Sequence, residues 1–271
     1  DMTARRYEGQ DRVDIPVPEG MDEVIAPLRD MIMEAVAETD DALMNKYFNG
    51  EEFTFDEIKK AIRRGVKEGS IYPVYCGSGL KNIGVRSLMD GIGKYLPNPN
   101  EIAEIAHDAK TGEPIEVVQE ETDTTAAIVF KTISDPYVGK MSVFRVYSGD
   151  VHSDSVLYNP NKGISEKIGK VFMLRGKKQI DVERVPAGDI GVVAKLDRTK
   201  TGDTLCADNK NIILSGIDFP TPVLSMAILP IAKGEEEKII SGLSKLNEED
   251  QTFTVTTNPE TKQTLINGQG E

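Results

Sequence analysis

The spacing of apolar residues changes twice along these 271 residues, so one uniform architecture cannot accommodate the chain. Within residues 22–39, Val24, Ile25, Leu28, Ile32, Ala35 and Val36 recur at helical spacing. A second helix is expected over 41–48, stopped by Asn49-Gly50. A third is expected over 54–68, where Thr54 and Glu57 are spaced as a capping box. The apolar run 71–76, the turn Gly77-Ser78-Gly79 and a helix over 85–96 read as strand, loop and helix of a parallel α/β sheet. Residues 101–123 are acidic and pattern-poor, a linker. From Thr125 the pattern becomes short strands at 126–134, 141–148, 155–158, 167–174, 180–182 and 190–196. Turns such as Ser148-Gly149-Asp150, Ala187-Gly188-Asp189 and Thr201-Gly202-Asp203 separate them, which predicts a small β-barrel.

After Phe219-Pro220-Thr221-Pro222 the pattern changes again, to a strand at 223–229, a helix at 234–247 and strands at 252–257 and 263–267. That β-α-β-β order is the front of a ferredoxin-like split βαβ fold. Its second helix and last strand would be missing at Glu271, leaving apolar sheet surface uncovered and marking a chain cut from a longer one. The expected fold class is therefore multi-domain: α/β, then all-β, then α+β. The segments fall at 1–100, 101–123, 124–218 and 219–271.

Charge divides the same way. Residues 1–123 carry 14 Lys and Arg against 26 Asp and Glu, whereas the remaining 148 carry 18 against 19. The acidic balance belongs to the first part and says little about what the second part binds. With 39% hydrophobic and 28% charged residues the chain has the make-up of a soluble globular protein. No run of 18 apolar residues marks a membrane span, and the first seven residues carry no signal-peptide core. Cys76, Cys206, His107 and His152 lack CxxC or HxxxH spacing, which argues against zinc and for reduced cysteines in a cytoplasmic protein.

Three stretches, taken in order, resemble the translational GTPases, elongation factor G most closely. The first runs from Pro73-Val74-Tyr75-Cys76-Gly77-Ser78-Gly79-Leu80-Lys81-Asn82-Ile83-Gly84-Val85 to Tyr95-Leu96-Pro97. It is similar to the family's last guanine-nucleotide motif and the final helix of its G domain. The second joins Phe130-Lys131-Thr132, Asp135-Pro136-Tyr137-Val138-Gly139-Lys140, Arg145-Val146-Tyr147-Ser148-Gly149, Ala187-Gly188-Asp189-Ile190 and Thr201-Gly202-Asp203-Thr204-Leu205, and resembles the barrel called domain II. The third, from Phe219-Pro220 to Ile266-Asn267-Gly268-Gln269-Gly270-Glu271, resembles the start of domain III. On this likeness residues 1–70 are the helical insertion of the G domain. The chain is then an internal stretch with a partial P-loop GTPase domain, a translation-factor β-barrel and a partial ferredoxin-like domain. Two departures stand out. Ser78-Gly79 replaces the family's Ser-Ala pair, and Arg175-Gly176-Lys177-Lys178-Gln179 replaces a His- and Asn-containing stretch, which suggests a divergent paralogue.

The resemblance implies a ribosomal translocase that spends GTP, with Mg²⁺, to move tRNA and mRNA. It implies a cytoplasmic, membrane-free protein whose partners are ribosomal RNA and proteins, and a monomeric state for this stretch. A ribosomal protection protein, a class II release factor, or a stand-alone RNA-binding barrel without GTPase are the other readings. The phosphate cradle GxxxxGK[ST] and the base-reading Asn-Lys-x-Asp occur nowhere in these residues, so the chain by itself is expected neither to hold GTP tightly nor to hydrolyse it. No catalytic or metal-ligating residue is assigned.

Two candidate sites remain. Backbone N–H groups and the hydroxyl of Ser78-Gly79-Leu80 could meet a guanine carbonyl oxygen. The plainer reading is a strand-to-helix turn with Ser78 as helix N-cap. Residues 159–184 carry Lys162, Lys167, Lys170, Arg175, Lys177, Lys178 and Arg184 against Glu166, Asp181 and Glu183, a net +4. Gathered on one surface these cations would suit an RNA backbone; otherwise they are lysines guarding an edge strand.

Overall fold

In a computed structural model, residues 4–9, 11–117, 124–207, 211–232 and 234–270 are described. The chain divides into two compact units, Asp1–Asn98 and Pro99–Glu271.

The first unit opens with a hairpin that the sequence reading does not contain: β1 (Ala4–Glu8) pairs antiparallel with β2 (Asp11–Ile15). Both strands are largely polar and exposed, so they carry little of the alternation that betrays a half-buried strand. Four helices follow: α1 (Asp22–Ala37), α2 (Asp41–Phe48), α3 (Phe55–Glu68) and α4 (Val85–Tyr95). Side-chain caps fix the starts of α2 and α3. The Asp40 carboxylate accepts the Ala42 N–H at 2.9 Å to begin α2. Thr54 and Glu57 form the reciprocal capping box of α3, and Gly69 ends that helix in the left-handed conformation. Lys46 of α2 donates to both oxygens of Glu57 at 3.0 Å, tying the second helix to the third.

The run 71–76 forms no ladder among the described residues, in place of the parallel strand expected there. A parallel strand exists only through neighbours that accept and donate its backbone bonds, and every pairing described here is antiparallel. Side chains hold the run instead. Ile71 lies directly on Gly65 of α3, and the Tyr75 ring lies on Gly91 of α4, each so close that a β-carbon would not fit. Tyr72 and Val74, between them, are 77% and 87% exposed.

The second unit begins with β3 (Glu104–Asp108) and β4 (Pro114–Val117). These strands correct the expectation of a linker over 101–123. They form a hairpin whose third strand is Ile212–Leu214, with Ala106 and Val117 buried. The alternation is faint in the sequence, because Glu104 and Asp108 share the inward face with Ala106 while Ile105 points outward. Residues 118–123 of that expected linker lie outside the described residues. The strands continue as β5 (Ala126–Asp135), β6 (Gly139–Ser148), β7 (Asp150–His152), β8 (Val156–Asn159), β9 (Ile164–Lys167), β10 (Val171–Arg175), β11 (Lys178–Val182), β12 (Arg184–Pro186), β13 (Ile190–Ala194), β14 (Thr204–Cys206) and β15 (Ile212–Leu214).

Eight of these strands make one antiparallel sheet in the order β11-β10-β13-β6-β5-β14-β8-β9, and β7 pairs with β12. The sheet wraps around a main core that includes Val129, Phe144, Val146, Val151, Leu157, Ile168, Val171, Val185, Leu196 and Leu205, with smaller buried clusters around Ile128 and Ile212 and around Met141 and Phe172. Each such side chain contributes about 1.5–3 kcal/mol by leaving water. The two edges are drawn together by residues 153–155: Ser153 N–H donates to the Glu183 carbonyl and Asp154 N–H to that of Gly169. The result is a β-barrel, as the turn spacing predicts. Its longest helix-free stretch resolves into more strands than the pattern suggests, because β7, β9, β12, β14 and β15 are only three or four residues long.

The last part is α+β: β16 (Leu224–Ile228), α5 (Glu236–Glu249), β17 (Thr254–Thr257) and β18 (Thr264–Gly268), with β18 central in the order β16-β18-β17. This is the β-α-β-β order read from the sequence. Val223, Met226, Leu229, Ile240 and Leu246 are exposed on it. Among the described residues no helix is long and apolar enough to cross a membrane.

Candidate functional site

The loop after residue 76 is a tight backbone clasp. Ser78 N–H donates to the Ile83 carbonyl at 2.9 Å, and Ile83 N–H returns to the Ser78 carbonyl at 3.0 Å. The Ser78 hydroxyl oxygen accepts the Lys81 N–H at 3.3 Å. Ser78 therefore caps this turn and not α4, whose N-cap is Gly84 with no side-chain bond. Asn82 and Gly84 both have positive φ, at 56° and 76°. The turn leaves the Gly79 and Leu80 N–H groups without a backbone acceptor among the described residues, and Leu80 is 98% exposed. A cleft of about 290 Å³ runs beside it, lined by Tyr75, Cys76, Gly77, Ser78, Ile83 and Leu88, among others. Two N–H donors beside a small cleft suit a carbonyl oxygen such as that of guanine. The loop itself has neither the residues of a phosphate cradle nor a carboxylate to hold Mg²⁺.

The seven cations named from the sequence are all exposed, yet the fold does not gather them. From β8 to β10 the sheet makes five antiparallel steps, through β14, β5, β6 and β13. The two strands therefore run oppositely, and the turns that follow them open at opposite ends of the sheet. Lys162 lies in the turn after β8, whereas Arg175, Lys177 and Lys178 lie at the turn after β10. Lys167 ends β9 and Lys170 follows it. Three of the seven also have acidic neighbours: Lys162 stands 3.8 Å from Asp203, Lys170 3.9 Å from Asp181 and Arg184 3.0 Å from Asp150. The expected single surface is thus corrected to two. Sequence proximity suggests one patch, but the register of a barrel distributes consecutive turns between its ends. Near the Arg175–Lys178 turn the outward residues Val143, Leu174, Ile190 and Val192 line a groove of about 410 Å³. Arg145, on the same strand as Val143, lies 4.8 Å from the centre of the Tyr147 ring. Burial pushes the Tyr147 phenol upward in pKa, and the neighbouring guanidinium partly opposes this.

A third constellation, missed in the sequence, joins the barrel to the α+β part. The loop between β13 and β14 is pinned from beneath by side chains of the β8–β9 hairpin. The Glu166 carboxylate accepts from Arg198 N–H at 3.1 Å and from the N–H and hydroxyl of Thr199, both at 2.9 Å. Buried Asn159 donates to the Thr199 hydroxyl at 3.0 Å and to Asp203 at 3.1 Å, and Asp203 also accepts the Lys200 N–H. The Thr201 hydroxyl meets that of Thr132, on β5, at 2.9 Å. From the other side Gln251 donates to the Thr201 carbonyl at 3.0 Å, and Glu249, at the end of α5, accepts the Ser134 N–H of β5. Between them Asp250 folds back on Thr252, whose hydroxyl and N–H hold its carboxyl below the usual range. The only sequence signal for this junction is the turn Thr201-Gly202-Asp203, which does not reveal what it touches.

Comparison with known proteins places both halves of that junction in one family. Residues 124–208 match the family described as elongation factor G domain 2, and residues 219–271 match elongation factor G, domain III. A crystal structure from Thermus thermophilus superposes with a TM-score of 0.80 and 28% identity, covering 100% of this chain and 38% of that one. With its barrel and its α+β part matched in succession, the chain belongs to the elongation factor G family of translation factors.

Proposed function

We propose that the chain serves a ribosomal translocase, a GTPase that moves tRNA and mRNA during protein synthesis in the cytoplasm. The observation that carries this reading is the unbroken succession of domain 2 and domain III, docked on each other through Thr201, Ser134, Glu249 and Gln251. Domains that shift as near-rigid bodies need such a junction to pass on the state of the nucleotide. GTP and Mg²⁺ are the ligands of the activity. Among the described residues the Ser78–Leu80 loop is the one we assign to approach the guanine, through its backbone N–H groups. The remaining chemistry calls for a phosphate cradle that residues 1–271 do not contain. We therefore assign residues 1–100 to the end of a nucleotide domain with its insertion, 124–218 to the barrel and 219–271 to the third domain.

Ribosome contact is assigned to the Arg175–Lys178 turn, three exposed cations on one hairpin tip, with Lys162, Lys167 and Lys170 as a separate set. No aromatic side chain is interleaved with them, so the contact is with RNA backbone rather than bases. The test uses the full-length protein with ribosomes and GTP, following the position of the mRNA. Movement by one codon supports the reading. Release of a bound inhibitor or of completed peptide without movement would replace it with the protection-protein or release-factor reading. The double change Lys177→Glu/Lys178→Glu should weaken ribosome affinity most at low salt; equal affinity at every salt concentration removes this turn from the interface.

A further inference from the structure

The third domain is held by two anchors, one on β5 itself and one on a loop that β5 and the β8–β9 hairpin hold jointly. Glu249 takes its hydrogen bond from Ser134, in a strand locked into the main ladder. Gln251 gives its hydrogen bond to Thr201, whose carbonyl belongs to a loop. A strand in the middle of a ladder keeps its place, whereas a loop lies where its own anchors put it. For the loop at 198–203 those anchors divide: Glu166 of the β8–β9 hairpin receives three donors from Arg198 and Thr199 and Asn159 bridges Thr199 to Asp203, whereas the end of the loop is tied to β5 by Gly202 N–H on the Val129 carbonyl and by the Thr201 hydroxyl on Thr132. Lys140 adds a bond to the Thr199 carbonyl at 2.8 Å.

We propose that Glu166 is a positioning residue for the third domain, acting through the 198–203 loop, so that a load on the β8–β9 hairpin is felt at Gln251 and Glu249. The reasoning is mechanical. Loss of the Glu166 carboxylate leaves two backbone N–H groups and one hydroxyl to find water, and the peptide between residues 199 and 201 shifts to let them. The Thr201 carbonyl moves with it against the restraint of Gly202 on Val129, while Ser134 stays in its pairing with Lys140. The α5 end is then pulled at one anchor and fixed at the other, which turns the domain about Ser134. The hairpin that carries Glu166 also carries Lys162 in its turn and Lys167 at the far end of β9, both exposed. A partner's pull on that turn therefore has a path of hydrogen bonds into the third domain. This inference stands on the junction alone and holds whichever reaction the whole factor performs.

Hydrogen exchange at the Ser134 amide tests it in the full chain, because that N–H is covered by Glu249 of the third domain and lies outside the loop. Glu166→Ala should speed exchange at Ser134 by about fivefold or more, the lower end of ordinary coupling between sites. Glu166→Gln keeps a side-chain oxygen and should restore most of the protection. Thr199→Val removes only the hydroxyl branch and should give a smaller effect in the same direction, which keeps the test open if Glu166→Ala folds poorly. In combination with Gln251→Ala, Glu166→Ala should add little, since both interrupt one path. The proposal is overturned if exchange rises at Arg198 and Thr199 while Ser134 keeps its wild-type rate, or if the two changes add in full.

Discussion

Gly84 lies against the backbone of Gly77: a β-carbon at Gly84 would stand 3.2 Å from the Gly77 α-carbon and 2.7 Å from the Cys76 carbonyl oxygen. Gly84 also has φ 76°, a conformation that L side chains rarely adopt. Gly84→Ala should therefore open the Ser78–Ile83 clasp and cost about 1–3 kcal/mol of local stability. Thermal unfolding of the first unit measures it, and an unchanged midpoint would show that the loop is not held by this contact.

Gly191 occupies the barrel strand opposite Phe144, where a β-carbon would come within 2.6 Å of the Val185 side chain and 2.7 Å of the Phe144 ring. Neither neighbour can withdraw, since both belong to the enclosed core. Gly191→Ala should destabilise the barrel by about 1–3 kcal/mol through overpacking. Denaturant titration followed by a barrel-specific probe should show the earlier midpoint, and an equal or later one contradicts the packing described.

Ser142 has the opposite status. Its hydroxyl is fully buried and has no hydrogen-bond partner among the described residues. An unsatisfied buried polar atom costs about 1–3 kcal/mol. Ser142→Ala removes it without leaving a large hole, so the melting temperature should hold or rise by a few degrees. A fall of several degrees would mean that the hydroxyl has a partner in solution.

The Glu57 carboxyl should titrate far below the ordinary 4.5, at about 2, held down first by the Thr54 N–H, then by Lys46 and the Thr54 hydroxyl. Because the folded value is the lower one, the stabilisation is fully present above 4.5 and is lost as pH falls through about 2. Side-chain carboxyl shifts in an acid titration report it directly. Thr54→Ala should move the midpoint upward, and a midpoint near 4.5 in the unaltered protein would deny the capping box.

Much of the fold was legible where short-range rules act alone. Thr54 with Glu57, the stop of α2 at Asn49-Gly50 and the β-α-β-β order after Pro222 each follow from residues a few positions apart. The hairpin over 104–117 was not legible, because its apolar residues are few and its third strand arrives from residue 212. The candidate sites divide along the same line. The Ser78–Leu80 turn could be placed from its glycines, whereas the junction of Glu166, Thr199, Thr201 and Gln251 joins residues up to 85 positions apart that no local pattern connects.

By itself the amino-acid order determined the periods: helices first, a barrel of short strands next, and an α+β part last. Apolar spacing, caps and turn residues act within a few positions, and those interactions are written into the chain. Tertiary structure alone decided which turns share a surface. It sent Lys162 and the Arg175–Lys178 turn to opposite ends of the barrel sheet and brought Gln251 to Thr201. The physical reason is that strand register is a collective property of the ladder: the direction of each strand depends on every antiparallel step between it and its neighbours.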